Sequence, residues 1–192
     1  MIAIVEYNAG NIMSVRNAVN RLGYECMITG NRTDLLAADK VIFPGVGEAG
    51  SAMKYLKEKG LDETLRSLNK PILGICLGLQ LLCRYNEESG TEGLGIFSSD
   101  VKLFPPVDKI PHMGWNNFLS VNSELFKGIS LNDDVYYVHS YYAEISACTT
   151  ATCDYIVPFS AAMKKDNFFA TQFHPEKSAG VGEKILRNFL EL

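Results

Sequence analysis

A cysteine set between two glycines, Gly74-Ile75-Cys76-Leu77-Gly78, closes an apolar run that begins at Pro71. This spacing suits a sharp turn from strand to helix, since glycine lets backbone approach where a Cβ would collide. The turn puts the thiol at a helix N-terminus, where unpaired N–H groups and the helix dipole favour the thiolate and hold a developing oxyanion. On its own the motif leaves open an inert core cysteine. A free thiol with a pKa of about 8.5 is only a few per cent ionised at neutral pH, so nucleophilic chemistry requires a base elsewhere in the chain.

Three histidines are available. His112 is expected in a loop, His139 inside an aromatic strand, and His174 at a strand end. Only His174 comes with an orienter. Pro175 pushes it into extended geometry, and Glu176 lies two residues on, on the same side of an extended chain. Cys76, His174 and Glu176 thus form a candidate nucleophile, base and orienter for acyl transfer. Five cysteines, Cys26, Cys76, Cys83, Cys148 and Cys153, make no Cys-x-x-Cys pair and no zinc spacing with histidine. Neither a metal nor a cofactor is expected. Cys83, read as two helical turns beyond Cys76, is too distant for a disulfide with it. Cys148 and Cys153 read as packing residues.

The elements that position these groups follow from the apolar pattern. A chain of 192 residues suits one domain over 1–192. Strands are expected at Ile2–Glu6, Tyr24–Thr29, Lys40–Phe43 and up to Cys76, with helices at Ile12–Leu22, Thr33–Ala37, Glu48–Lys59 and Asp62–Leu68. Asn11 is the expected cap of the first helix. Alternating strands and helices imply a parallel sheet with right-handed crossovers. The helix after Cys76 is expected to run through Tyr85. From Val101 to Phe173 the sequence turns β-rich, with segments at Val101–Phe104, Asn116–Val121, Val135–Ala143, Thr149–Val157, Ala161–Lys164 and Phe168–Phe173. A helix over Gly182–Leu190 covers one sheet face.

No stretch supplies the ~20 apolar residues of a membrane span. The opening Met1-Ile2-Ala3-Ile4-Val5-Glu6 lacks the basic flank of a signal peptide, so a cytoplasmic protein with reduced thiols is expected. Lysines and arginines are scattered within a net charge of −4, which argues against a nucleic-acid groove. The aromatic run Tyr136–Tyr142 carries no interleaved basic residues and is expected to pack in the core with a substrate-facing edge.

Gly74–Gly78 together with His174-Pro175-Glu176 resembles the class I, triad-type glutamine amidotransferases, over essentially the whole chain. Pro44-Gly45-Val46-Gly47 is similar to that family's oxyanion strand. The opening Tyr7–Asn11, the block Pro111–Asn116, Val138–Tyr142 and His174–Ser178 resemble members that dock on a (β/α)8-barrel cyclase. The resemblance implies a flavodoxin-like three-layer α/β sandwich with a central mixed, mainly parallel sheet and an added antiparallel portion. It implies glutamine as substrate, a Cys76 thioester, Leu77 and Val46 as oxyanion donors after a peptide rearrangement, and low activity for the chain alone. Gln80 and Glu88 would grip the substrate, with backbone at Gly47, Ser140 and Tyr141. On the residues alone, Gln80 reads equally as a solvated helix position, and Glu87 stands as an alternative to Glu88.

The resemblance further implies a heterodimer with the barrel cyclase through Met113, Trp115, Asn116, Tyr136 and Lys177. Lys109–Asn117 is expected as a loop. There Trp115 reads either as a partner anchor or as a residue folded over its own core, Tyr136 as core filling and Lys177 as a surface lysine. Two other functions compete: an amidotransferase subunit of anthranilate or aminodeoxychorismate synthase, and a non-catalytic regulatory subunit.

Overall fold

The computed structural model describes residues 1–192. Three βα steps and a fourth strand build its first part: β1 (Ile2–Val5), α1 (Ile12–Arg21), β2 (Cys26–Thr29), α2 (Arg32–Ala37), β3 (Lys40–Gly45), α3 (Ala49–Glu58), α4 (Leu61–Ser67) and β4 (Ile72–Cys76). Each strand is a short apolar run, and α1 and α3 bury one stripe each, through Val15, Ala18 and Val19 and through Ala52, Met53 and Leu56. Gly23 at φ +87° and Gly60 at +64° end α1 and α3 in the left-handed conformation that glycine adopts without strain.

After α5 (Leu77–Leu82) the chain becomes β-rich. It runs through β5 (Cys83–Asn86), β6 (Thr91–Glu92), β7 (Phe97–Leu103), β8 (His112–Asn116), β9 (Ser120–Val121), β10 (Val135–His139), β11 (Tyr141–Ala143), β12 (Thr149–Tyr155), β13 (Val157–Lys165) and β14 (Phe168–Thr171), and closes with α6 (Ala179–Leu190). The main sheet has the order β2-β1-β3-β4-β14-β13-β12-β9. Pairing is parallel from β2 to β14 and antiparallel from β14 to β9. Helices α2 to α5 pack on one face and α1 and α6 on the other, each over its own apolar cluster. This is the expected three-layer α/β sandwich with a mixed sheet. No helix is long and apolar enough to cross a membrane.

Four expectations fail locally. The helix after Cys76 stops at Leu82 instead of running to Tyr85, because Cys83–Asn86 is drawn into a second sheet beside β7. Cys83 therefore starts a strand; all five cysteines are free. The block Lys109–Asn117 is not a loop: after the cis Ile110–Pro111 bond it forms β8, which pairs with β10 as a two-stranded ribbon. The expected strand Asn116–Val121 is accordingly replaced by β8 and the short β9. Asn11 occupies the cap position of α1 with φ +71° and makes no capping bond, since its side chain is engaged elsewhere.

Candidate active site

The ends of β3, β4 and β14 lie side by side, with Gly45 in register with Cys76 and Thr171 with Ile75. Cys76 sits at φ +54° and ψ −107°, a conformation only a sharp turn imposes on a side-chain-bearing residue. Of the flanking glycines, Gly78 is a steric necessity and Gly74 leaves room for only the tightest fit. A Cβ on Gly78 would lie 1.9 Å from the Phe43 carbonyl oxygen, and one on Gly74 would meet the Gly78 carbonyl at 3.0 Å. The thiol does not project into solvent: Cys76 is 6% exposed and forms the floor of a cavity of about 330 Å³.

His174 lies behind the sulfur, completely buried. Its Nδ1 pairs with Glu176 Oε1 at 2.8 Å. The pair is made across a 3₁₀ turn, Pro175–Lys177, and not along an extended segment as expected. The same carboxylate oxygen accepts from Asn11 Nδ2, which explains the missing helix cap. The turn is stitched to β10: His174 N–H donates to the Tyr136 carbonyl at 2.9 Å, and Ser178 Oγ accepts from Tyr136 N–H at 2.9 Å and donates to the His174 carbonyl at 2.6 Å. Burial alone would lower the basicity of His174, but the Cys76 charge and the Glu176 carboxylate outweigh it and push its pKa up to about 10. Nε2, the ring nitrogen that Glu176 leaves over, is buried and makes no hydrogen bond in the free chain.

Val46, Gly47, Leu77, Gln80, Glu88, Ser140 and Tyr141, all expected near substrate, line the cavity together with Pro111, Val138 and His139. Gln80 is no solvated helix residue: it is 5% exposed and donates through Nε2 to the Tyr141 carbonyl at 3.0 Å. Of the two adjacent acids, Glu88 faces the cavity and accepts from Ala49 N–H at 2.8 Å, at the start of α3. Burial, only partly offset by that bond, raises its pKa. Glu87 turns away and accepts from Leu103 N–H at 2.9 Å.

The opposite wall is the ribbon. Cross-strand register puts Trp115 opposite Tyr136 and Met113 opposite Val138 on one face, with His112 opposite His139 on the other. The outward face is apolar: Met113 is 60% and Trp115 55% exposed, and Tyr136 meets the Trp115 ring edge-on at 5.9 Å. Trp115 is thus not folded over its own core. Lys177 is exposed at the triad turn. Asn116 behaves differently from its neighbours, because its side chain points inward and donates to the Asp154 carbonyl at 3.1 Å.

Inside, a directed chain of hydrogen bonds runs from Asn116 Nδ2 to His112 Nε2 (3.3 Å), from His112 Nδ1 to His139 Nε2 (3.0 Å), and from His139 Nδ1 to the Tyr141 carbonyl (2.8 Å). An amide N–H at one end and a carbonyl at the other assign the tautomers of both rings. Burial lowers the pKa of His112 to about 4, and that of His139 to about 3 against the opposing pull of the Tyr141 carbonyl.

Sequence reasoning missed Asn11, His112 and Gln172, whose Nε2 donates to Cys76 Sγ at 3.6 Å. The one local signal for Gln172 was an amide near the end of the mostly apolar run Phe168–Phe173.

A family model described as "Glutamine amidotransferase class-I" matches residues 3–192. The chain belongs to this family, whose members are glutamine-dependent enzymes. The imidazole glycerol phosphate synthase subunit HisH of Bacteroides fragilis (strain YCH46) is 57% identical over 194 residues, covering 100% of this chain and 99% of the relative. The subunit of the same name from Methanocaldococcus jannaschii is 47% identical over 198 residues, with 100% of each chain covered. Among solved structures, one titled a glutamine amidotransferase superposes with a TM-score of 0.76 at 17% identity, covering 100% of this chain and 98% of that one. The PurLQS structure from Thermotoga maritima gives 0.75 at 17% identity, covering 99% and 97%. These likenesses carry the fold alone.

Proposed function

We propose that this chain is the glutaminase subunit of imidazole glycerol phosphate synthase, hydrolysing glutamine and passing the ammonia to a (β/α)8-barrel cyclase subunit in histidine biosynthesis. The observation that carries the chemistry is the buried His174–Glu176 pair set behind Cys76 at the floor of one cavity. Full-length identity of 57% to a subunit of that name supports the pathway assignment.

The Cys76 sulfur, its proton held by His174 Nε2, adds to the side-chain amide carbon of glutamine. The oxyanion is received by Leu77 N–H and, once the Pro44–Gly47 loop rearranges, by Val46 N–H; each such donor is worth roughly 100- to 1,000-fold in turnover. His174 protonates the amide nitrogen, ammonia leaves, and a thioester remains. Water, losing a proton to His174, adds to the thioester; the sulfur leaves and glutamate is released. Glu176 and Asn11 hold the imidazole with Nε2 toward the sulfur. Gln80, Glu88 and the backbone of Gly47, Ser140 and Tyr141 bind the amino-acid end of the substrate.

The cyclase docks on the outward ribbon face, where Met113, Trp115 and Tyr136 form an apolar patch with Lys177 at its edge. Because β10 holds the His174 turn through Tyr136, docking bears directly on the base. The chain alone has low activity, and it acts in the cytoplasm as one half of a heterodimer. The test is glutamate release from glutamine by the chain with and without its cyclase, beside Cys76→Ala. Partner-dependent release that falls on the order of 10⁶-fold in the variant is expected. Unchanged release in Cys76→Ala, or recovery of a chorismate-using enzyme as the native partner, would overturn the reading.

A further inference from the structure

One buried side chain touches the sulfur and has no part in the steps above. Gln172 follows β14 and is fully buried; its Nε2 donates to Cys76 Sγ at 3.6 Å and its Oε1 accepts from Gln80 Nε2 at 3.2 Å. The orientation of this amide is fixed from outside. A backbone carbonyl can only accept, so Gln80 must turn its Nε2 toward Tyr141 O, at 3.0 Å, and its Oε1 toward Asn86 Nδ2, at 3.4 Å. The second N–H of Gln80 then meets Gln172, which has to present its oxygen there. Its nitrogen is left for the sulfur. The Tyr141 carbonyl thus decides, two amides away, that Cys76 faces a donor.

We propose that Gln172 is a further catalytic residue: its Nε2–H donates to Cys76 Sγ and favours the sulfur as an anion, both when it attacks the amide and when it leaves the thioester. This rests on Cys76 being the nucleophile assigned above. A thiolate is a far better acceptor than a thiol, and an N–H aimed at a charge is worth most where water is excluded. The titratable groups around the sulfur are His174 from the turn after β14, backed by Glu176, Tyr7 from the segment after β1, and, lining the same cavity, His139 from β10, Tyr141 from β11 and Glu88 from the turn after β5. Each of these gives or takes a proton within some pH range. Gln172 does not, so its donor acts at every working pH.

The test is the rate at which iodoacetamide alkylates Cys76 as a function of pH, read by mass spectrometry of the Cys76 peptide. It is run on the full chain, on Gln172→Met and on Gln172→Glu, with turnover measured in the complex with the cyclase. Loss of the N–H is expected to move the ionisation of Cys76 up by about one pH unit in Gln172→Met and further in Gln172→Glu. kcat/KM near neutral pH falls about tenfold with KM little changed. A Gln172→Met profile that coincides with that of the unsubstituted chain overturns the proposal, whatever happens to turnover. Should Gln172→Met fail to fold, the unsubstituted chain decides. The Gln172 side-chain N–H resonances are expected to shift as Cys76 ionises and to lose that shift in Cys76→Ala; resonances that ignore the titration overturn the proposal. Failure of the nucleophile assignment itself is seen separately, as Cys76→Ala turning over glutamine unimpaired.

Discussion

Cys76 and His139 line one cavity, and they are held there by opposite means. The cysteine is held by exclusion. Its turn makes no side-chain capping bond, and what fixes it is backbone packed so tightly that a methyl group at position 78 would overlap the Phe43 carbonyl. The histidine is held by direction, in a chain of donors and acceptors from Asn116 to Tyr141. The first device suits an atom that must not move. The second suits a wall that carries the proposed docking face on its other side.

The same contrast divides the histidines. The charges of Cys76 and Glu176 raise His174 to about 10, whereas burial lowers the ribbon pair to about 4 and about 3, with the His174 charge adding to the drop at His139. The signs for stability are opposite. What His174 contributes is fully present below its unfolded value of about 6.5 and is lost as pH rises through about 10. His112 and His139 bind protons more readily once unfolded, so the fold weakens as pH drops from about 6.5 toward about 4.

Breaking the triad side of the comparison has the largest expected effect. Glu176→Gln removes the carboxylate that orients His174, and kcat for glutamine is expected to fall about 10⁴-fold with the fold intact by circular dichroism. A loss under about tenfold would show that Asn11 and the 3₁₀ turn suffice to hold the ring. Gly78→Ala tests exclusion itself: forcing a Cβ against backbone is expected to cost about 3 kcal/mol or more, a melting drop of roughly 6–12 °C. On the ribbon, His112→Gln takes one low-affinity ring out of the chain. The stability lost between pH 6.5 and 4 is expected to be about 3 kcal/mol smaller than in the unsubstituted protein, checked by denaturant titrations at fixed pH. An unchanged slope would mean His112 is already protonated in the fold. The smallest effect belongs to the outward face. Trp115→Ala should leave stability nearly unchanged, since the ring is more than half exposed, and weaken cyclase binding about 30-fold, or about 2 kcal/mol, by calorimetry.

How much of this could be read beforehand follows the same division. The elbow was legible because its cysteine and both glycines fall within five residues, Gly74 to Gly78, even though the carbonyl that Gly78 must clear belongs to Phe43 on β3, and because the pairing of His174 with Glu176 spans only two. The parallel half was legible because its apolar runs alternate with helical stripes closed by Gly23 and Gly60. The ribbon was not. β8 alternates as a strand should, but with polarity inverted: His112 and Asn116 face in, satisfied by one another, while Met113 and Trp115 face out. A pattern sought as apolar inside reads such a strand as a loop. Asn11 and Gln172 were invisible for another reason, since their partners lie 165 and 96 residues away in the chain. The premature end of α5 has a similar source, in that Cys83–Asn86 pairs with a strand 14 to 15 positions further along.

The left-handed backbone at Cys76 sets the chemistry of this chain against its own durability. A side chain held at φ +54° costs of order 1–3 kcal/mol that glycine would not incur, so Cys76→Gly is a route to a tougher protein, melting a few degrees higher and catalysing nothing. A duplicate of this chain released from making ammonia has that exit one substitution away. A cysteine at this position is therefore a marker of continuing use, since the thermodynamics of the fold alone favour losing it.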